Sequence, residues 1–186
     1  MQKFFKQFKK INSEALEKSN LIWSWIGSFL GILAISYFHS DILNDKDLTL
    51  FVGSFGASAV LVYGAVNSPL SQPRNLIGGH LISAIIGVIC FKLFSFNLLF
   101  ASAIAVSTSI LMMQLTLTLH PPGGATALIA VIGSEQIHDL GFLYILFPVT
   151  TGAFILLIIA LIVNNIPKHR YYPESLKDFN KKCFDK

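Results

Sequence analysis

Leu119-His120-Pro121-Pro122-Gly123-Gly124-Ala125-Thr126-Ala127-Leu128 brings an imidazole, two prolines, two glycines and a hydroxyl into one otherwise apolar region. Proline lacks an N–H and glycine lacks a Cβ, so such a run stops one helix and starts another. The first turn of a helix carries N–H groups without partners and about half a positive charge. Gly123, Gly124 and Ala125 leave room for a ligand to approach those groups, and Thr126 adds a hydroxyl donor. The chemistry this favours is the holding of a small anion. A second stretch, Gly56-Ala57-Ser58-Ala59-Val60-Leu61, resembles Gly124-Ala125-Thr126-Ala127-Leu128-Ile129 at an offset of 68 positions, with Ser58 matching Thr126. Two helix starts aimed at one point would hold an anion by partial charges and release it again.

Other residues could serve the same chemistry. His120 can donate to an anion or titrate and couple transport to protons; it can equally bond a backbone carbonyl and fix the Pro-Pro turn. Arg74 and Asn75 lie in a polar connection. They are read either as an anion-attracting mouth or, for Arg74, as topology-setting charge. His80 follows Gly78-Gly79 and is read as packing or as part of the path. Gln114 lines the path or joins helices. Pro121 and Pro122 are assigned to structure. No Gly-rich nucleotide loop, HExxH or Gly-x-Ser-x-Gly run is present, which argues against an enzyme. Cys90 and Cys183 have no metal spacing, and neither metal nor cofactor is expected.

The elements that must position these groups follow from composition. Hydrophobic residues make up 53% of the 186 and charged residues only 13%, about half the share of a soluble domain. Five of 14 Lys/Arg precede Leu21 and six follow Val163. The basic excess therefore lies in two tails, residues 1–20 and 167–186, around a membrane region at 21–166; lipid headgroups, not nucleic acid, are its expected partner. Phe4, Phe5, Phe8 and Ile11 alternate with Lys3, Lys6, Lys9 and Lys10, suiting either a surface amphipathic helix or an unstructured positive flank. Apolar segments run over 21–39, 48–66, 76–94, 98–118, 123–133 and 141–163. The fifth is roughly 17 Å long as helix and cannot cross roughly 30 Å of hydrocarbon. Basic tails on both sides place both termini in the cytoplasm and require an even number of crossings. Gly- and Ala-rich faces predict a homo-oligomer.

The fold expected is therefore all-α and polytopic, with about six apolar segments in two inverted three-segment repeats, 21–95 and 96–166. Each repeat would contain a broken half-helix. Inverted repeats with interrupted helices are a transporter pattern, with the substrate between the repeats.

The His120–Leu128 stretch resembles the signature of the HPP family of integral membrane proteins. Ser68-Pro69-Leu70-Ser71-Gln72-Pro73-Arg74-Asn75-Leu76-Ile77-Gly78-Gly79-His80 resembles a second motif of that family, and Ala160–Asn165 with Tyr172-Pro173 its end. Val66 and Leu117 depart from its pattern. The resemblance implies a bacterial inner-membrane or plastid-envelope protein, and the association of some members with nitrite transport implies nitrite as the anion. The expectation is transport of a small inorganic anion, held by Gly56, Ala57, Ser58, His120, Gly123, Gly124, Ala125 and Thr126. A membrane sensor or scaffold binding the same anion without passing it is the alternative.

Overall fold

A computed structural model describes residues 18–176; residues 1–17 and 177–186, with most of both basic tails and Cys183, lie outside it. Helix α1 spans Lys18–His39. Helix α2 spans Asp45–Ala59 and runs on through a π-helical turn, Val60–Gly64. A single 3-10 turn at Pro69–Ser71 precedes α3, Pro73–Phe94. Helix α4 is Leu98–Leu115, α5 is Pro122–Ile132, and α6 is Glu135–Leu140. A π-helical segment broken at Phe147 and Pro148, Ile145–Thr150, leads into α7, Thr151–Val163. Five of these stretches are long and apolar enough to cross a membrane, and α5 is a shorter apolar helix. The chain is thus a polytopic all-α membrane protein.

Local chemistry sets the helix starts. Asn44, Asn97 and Ser134 each accept from an amide in the turn they open, at Asp47 (2.9 Å), Phe100 (3.1 Å) and Gln136 (3.2 Å). Such caps satisfy donors that would otherwise be orphaned. Proline stands in the first turn of α3 and α5, where a missing N–H costs nothing.

The loops gather on two faces. On one, the fully buried Asp47 accepts from the Ser134 amide at 2.9 Å, from the Ser134 hydroxyl, and from Asn44 Nδ2 at 2.7 Å. This ties the end of α5 to the start of α2. Asp47→Ala removes three bonds to a buried charge and is expected to cost about 3 kcal/mol, read as a lower unfolding midpoint in detergent. On the other face, Arg170 Nη2 donates to the Asn20 carbonyl at 2.5 Å and Tyr172 Oη to the Ser71 carbonyl at 2.8 Å. The two ends of the described chain therefore lie on one face. Outward-facing Trp25, Leu33, Leu99, Leu111 and Ile158 are exposed, an arrangement that hydrocarbon tolerates.

The core lies where α2, α3, α5 and α7 meet. Phe51, Phe55, Tyr63, Leu76, Tyr144 and Leu156 are each 1% exposed or less. A second cluster, with Cys90, Ala101, Ala105, Ala127 and Val131, seals α3, α4 and α5.

Two local expectations are corrected. Gly56, Ala57 and Ser58 are not a helix start: α2 passes through them unbroken, because its only interruption is the π turn that begins at Val60. Among the described residues, the one short apolar helix, Pro122–Ile132, lies in the second half of the chain. The fourth helix ends at Leu115, before the prolines, in a turn where Leu117 takes a φ of 56°. The acidic stretch after Gly133 is a short helix, capped by Ser134.

Candidate functional site

The start of α5 docks deep against α3 because both helices carry glycine at the contact. A Cβ on Gly123 would stand 2.7 Å from Ser83 Oγ and 2.9 Å from the Gly79 carbonyl. A Cβ on Gly79 would strike the His120 side chain. Bare backbone at these points lets His120, on the turn before α5, reach across to α2.

Five polar side chains meet there, and all are 3% exposed or less: Ser54, Ser58, His80, His120 and Thr126. Ser58 Oγ lies 2.8 Å from His80 Nε2 and 3.0 Å from His120 Nε2. His80 Nδ1 lies 2.7 Å from Thr126 Oγ1, which is 3.1 Å from Ser54 Oγ. His120 Nδ1 lies 2.8 Å from the Leu70 carbonyl. The hydroxyls of the two similar stretches thus meet the two nitrogens of one imidazole.

One carbonyl orders every proton in this chain while both rings are neutral. The Leu70 oxygen can only accept, so His120 carries its proton on Nδ1, and its Nε2 accepts. Ser58 then spends its single proton on His120 and accepts from His80 Nε2–H. His80 Nδ1 accepts from Thr126, whose oxygen accepts from Ser54. Ser54 Oγ also stands 3.2 Å from the Pro122 carbonyl, its alternative acceptor. A proton added to either ring reverses the order from that ring onward. Thr126 then donates to Ser54, and Ser54 turns its proton to the Pro122 carbonyl.

Aromatic rings extend the line. His80 stacks on Phe55 at 4.5 Å and 8°, Phe55 lies 4.6 Å from Phe51, and Phe51 lies 4.8 Å from His39. His39 bonds Thr151 Oγ1 at 3.0 Å and the Ile35 carbonyl at 2.8 Å. Phe51 and Phe55, both buried, therefore stand between two imidazole-bearing regions.

The residues expected at an anion site divide. Ser58, His120 and Thr126 converge, together with His80. Gly123 is buried against α3, and its amide donates to the His120 carbonyl at 2.8 Å; that of Gly124 donates to Pro121 at 3.0 Å. The bare amides expected at this helix start are thus engaged, because Pro121 already adopts helical angles and extends the first turn backwards. Gly124 and Ala125 face away, into a groove of about 540 Å³ that Gln114 also lines. Gly56 faces a groove beside α1, and Ala57 is exposed. Arg74 Nη2 and Asn75 Nδ2 hold the turn before α5 through the carbonyls of Thr116 (2.9 Å) and Leu119 (2.8 Å). Ser54, Phe51 and Phe55 were missed. Their spacing with Ser58 (i, i+3, i+4, i+7) marks one helix face and was the signal available.

An apolar helical body with a half-helix and a buried imidazole–hydroxyl centre defines a class: a multi-pass membrane protein with polar chemistry in its interior. Within that class the chain belongs to the HPP family, whose HPP transmembrane region matches residues 13–173. Two curated relatives are described as transmembrane proteins of Dictyostelium discoideum. The chain is 50% identical to one and 48% to the other over 154 residues, 81% of its own length and 54% and 49% of theirs. It spans about half the length of the curated relatives it matches. No solved structure matches.

Proposed function

We propose that the chain moves a small inorganic anion, nitrite first among them, across the membrane by way of the His80–His120 centre. The observation that carries this reading is the pair of imidazoles buried in an apolar body, each bonded through Ser58. Ionisable groups at membrane depth are expensive and mark transport paths and proton relays. Protonation of either ring supplies the charge that attracts an anion, and the Ser54 hydroxyl, turning from the Pro122 carbonyl, donates to it. Deprotonation restores the neutral chain and releases the anion. The amides of Gly56, Gly123 and Gly124 play no part in this version of the site. Phe51 and Phe55 act as the barrier that must swing aside for passage. Transport, rather than catalysis, fits a centre whose hydrogen-bond partners are hydroxyls and carbonyls.

We further infer that both ends face the cytoplasm, by the basic excess of the tails. The bacterial inner membrane implied by the family resemblance is a narrower placement than the relatives support, since both come from Dictyostelium.

The test is flux of nitrite, nitrate, chloride and formate into proteoliposomes at two pH values. Nitrite flux is expected to rise as pH falls, because protonated imidazole is the anion-accepting form. Absence of flux with retained binding would leave a sensor instead. Thr126→Val keeps the shape and removes the donor to His80. It is expected to lower nitrite flux at least tenfold in a protein that still folds; unchanged flux would remove Thr126 from the path.

A further inference from the structure

We propose a second site, for an acidic glycerophospholipid, on the face that carries both ends of the described chain: its phosphate lies against Arg170 and one acyl chain lies between α1 and α2. Arg170 is 8% exposed. Its Nε donates to Asn20 Oδ1 at 2.7 Å, Nη1 to Asn164 Oδ1 at 3.4 Å, and Nη2 to the Asn20 carbonyl at 2.5 Å and Ser24 Oγ at 2.9 Å. Every one of these acceptors is neutral. They hold the guanidinium in place, and no carboxylate among the described residues balances its charge. Burial lowers its pKa from the usual arginine range, and no carboxylate among the described residues opposes that shift. A buried charge without a counter-charge is costly, and an anionic ligand removes the cost. One Nη1 proton is left for it, by the count of five donors on a guanidinium.

Space for the ligand lies next to this charge. Arg170, Asn20, Ser24, Asn67 and Gly64 line a polar cavity of about 200 Å³. Ser24 and Gly64 also line a neighbouring apolar groove of about 320 Å³ between α1 and α2, walled by Trp25, Ile32 and Val60. Glycine opens that groove: a Cβ on Gly56 or Gly64 would meet nothing within 4 Å. A polar cavity holding a bare positive charge, beside a hydrocarbon-sized groove at a membrane face, matches a phosphate head on an acyl tail. Free phosphate would use the first half only. The site is separate from the His80–His120 centre and does not depend on transport.

The experiment is native mass spectrometry of the full chain in detergent, titrated with phosphatidylglycerol, with phosphatidylcholine of the same chains, and with inorganic phosphate. Phosphatidylglycerol is expected to be retained at least tenfold more strongly than phosphatidylcholine, and Arg170→Gln to erase that preference. Arg170 also links Asn20 to Asn164, so a second variant guards against a folding defect. Gly64→Leu puts a side chain into the groove from a position where a Cβ meets nothing within 4 Å, and is expected to weaken phosphatidylglycerol retention several-fold. Equal retention of the two lipids overturns the proposal. So does phosphate binding with lipid retention untouched by Gly64→Leu, and so does a dimer that Gly64→Leu separates.

Discussion

Ser58→Ala is expected to destabilise the protein by about 3 kcal/mol and to stop nitrite flux. The hydroxyl stands between two imidazole nitrogens, at 2.8 and 3.0 Å. Removing it leaves both nitrogens buried without partners. Each orphaned group costs about 1–3 kcal/mol, partly offset if a water enters the space. His120 keeps its bond to Leu70 and His80 keeps Thr126, so the rings stay in place while the connection between them is cut. Unfolding in detergent reads the stability. Nitrogen-15 shifts of the labelled imidazoles read the order of protons: in the parent protein His120 is expected to carry its proton on Nδ1 and His80 on Nε2. Rings found in the same tautomer would refute the ordered chain whatever the transport result. Ser109→Ala is the matched control. Ser109 Oγ is buried without a partner, so the same chemical change there is expected to raise stability by about 1 kcal/mol. Flux through that variant should equal the parent's.

Gly87→Leu is expected to abolish the folded monomer. A Cβ at position 87 would lie 2.6 Å from the Ala127 carbonyl, 2.7 Å from Ala130 Cβ and 2.9 Å from Ala127 Cα. The obstacles belong to the backbone and to an alanine, so no rotamer change relieves them. Relief requires α5 to move off α3, and that contact carries the Thr126–His80 bond. Overpacking costs about 1–3 kcal/mol where side chains can adjust and more here, where they cannot. Size-exclusion profiles and thermal unfolding in detergent would report the loss. Gly124→Ala gives the contrast. Its Cβ would meet only Val106 Cγ1, at an ordinary 3.7 Å, and alanine in a helix is favoured over glycine by about 0.5–1 kcal/mol. That variant is expected to be at least as stable as the parent, with nitrite flux intact. Lost flux in the folded Gly124→Ala protein would return the site to the amide surface expected from the His-Pro-Pro-Gly-Gly run.

The long helices and the half-helix were legible because their causes are local. Apolar length marks a span, and an asparagine, serine or proline marks where it begins. Thus Asn44, Pro73, Asn97 and Pro122 sit at or beside starts that the residues alone suggest. The setting of Ser58, Thr126 and His120 beside glycine and proline was legible too, but not that His80 joins them in one buried hydrogen-bonded chain. A helix start was expected at Gly56, yet a single Gly-Ala-Ser run is too weak an interruption to break a helix that packs along its whole length. The partners of His80 were not legible, since a lone imidazole within an apolar stretch says nothing of what faces it.

By itself, the amino-acid sequence determined that this chain crosses a membrane several times, that one helix stops short, and that polar groups lie within its apolar body. Only the tertiary structure decided which of those groups meet. Ser58 and Thr126 are 22 and 46 positions from His80, and their encounter depends on which face each helix turns inward. In a soluble protein a polar stripe would mark the outer face. Here lipid and core are both apolar, so hydrophobicity alone does not separate the inward face of a helix from its outward one, and packing at Gly79, Gly87 and Gly123 makes the choice instead.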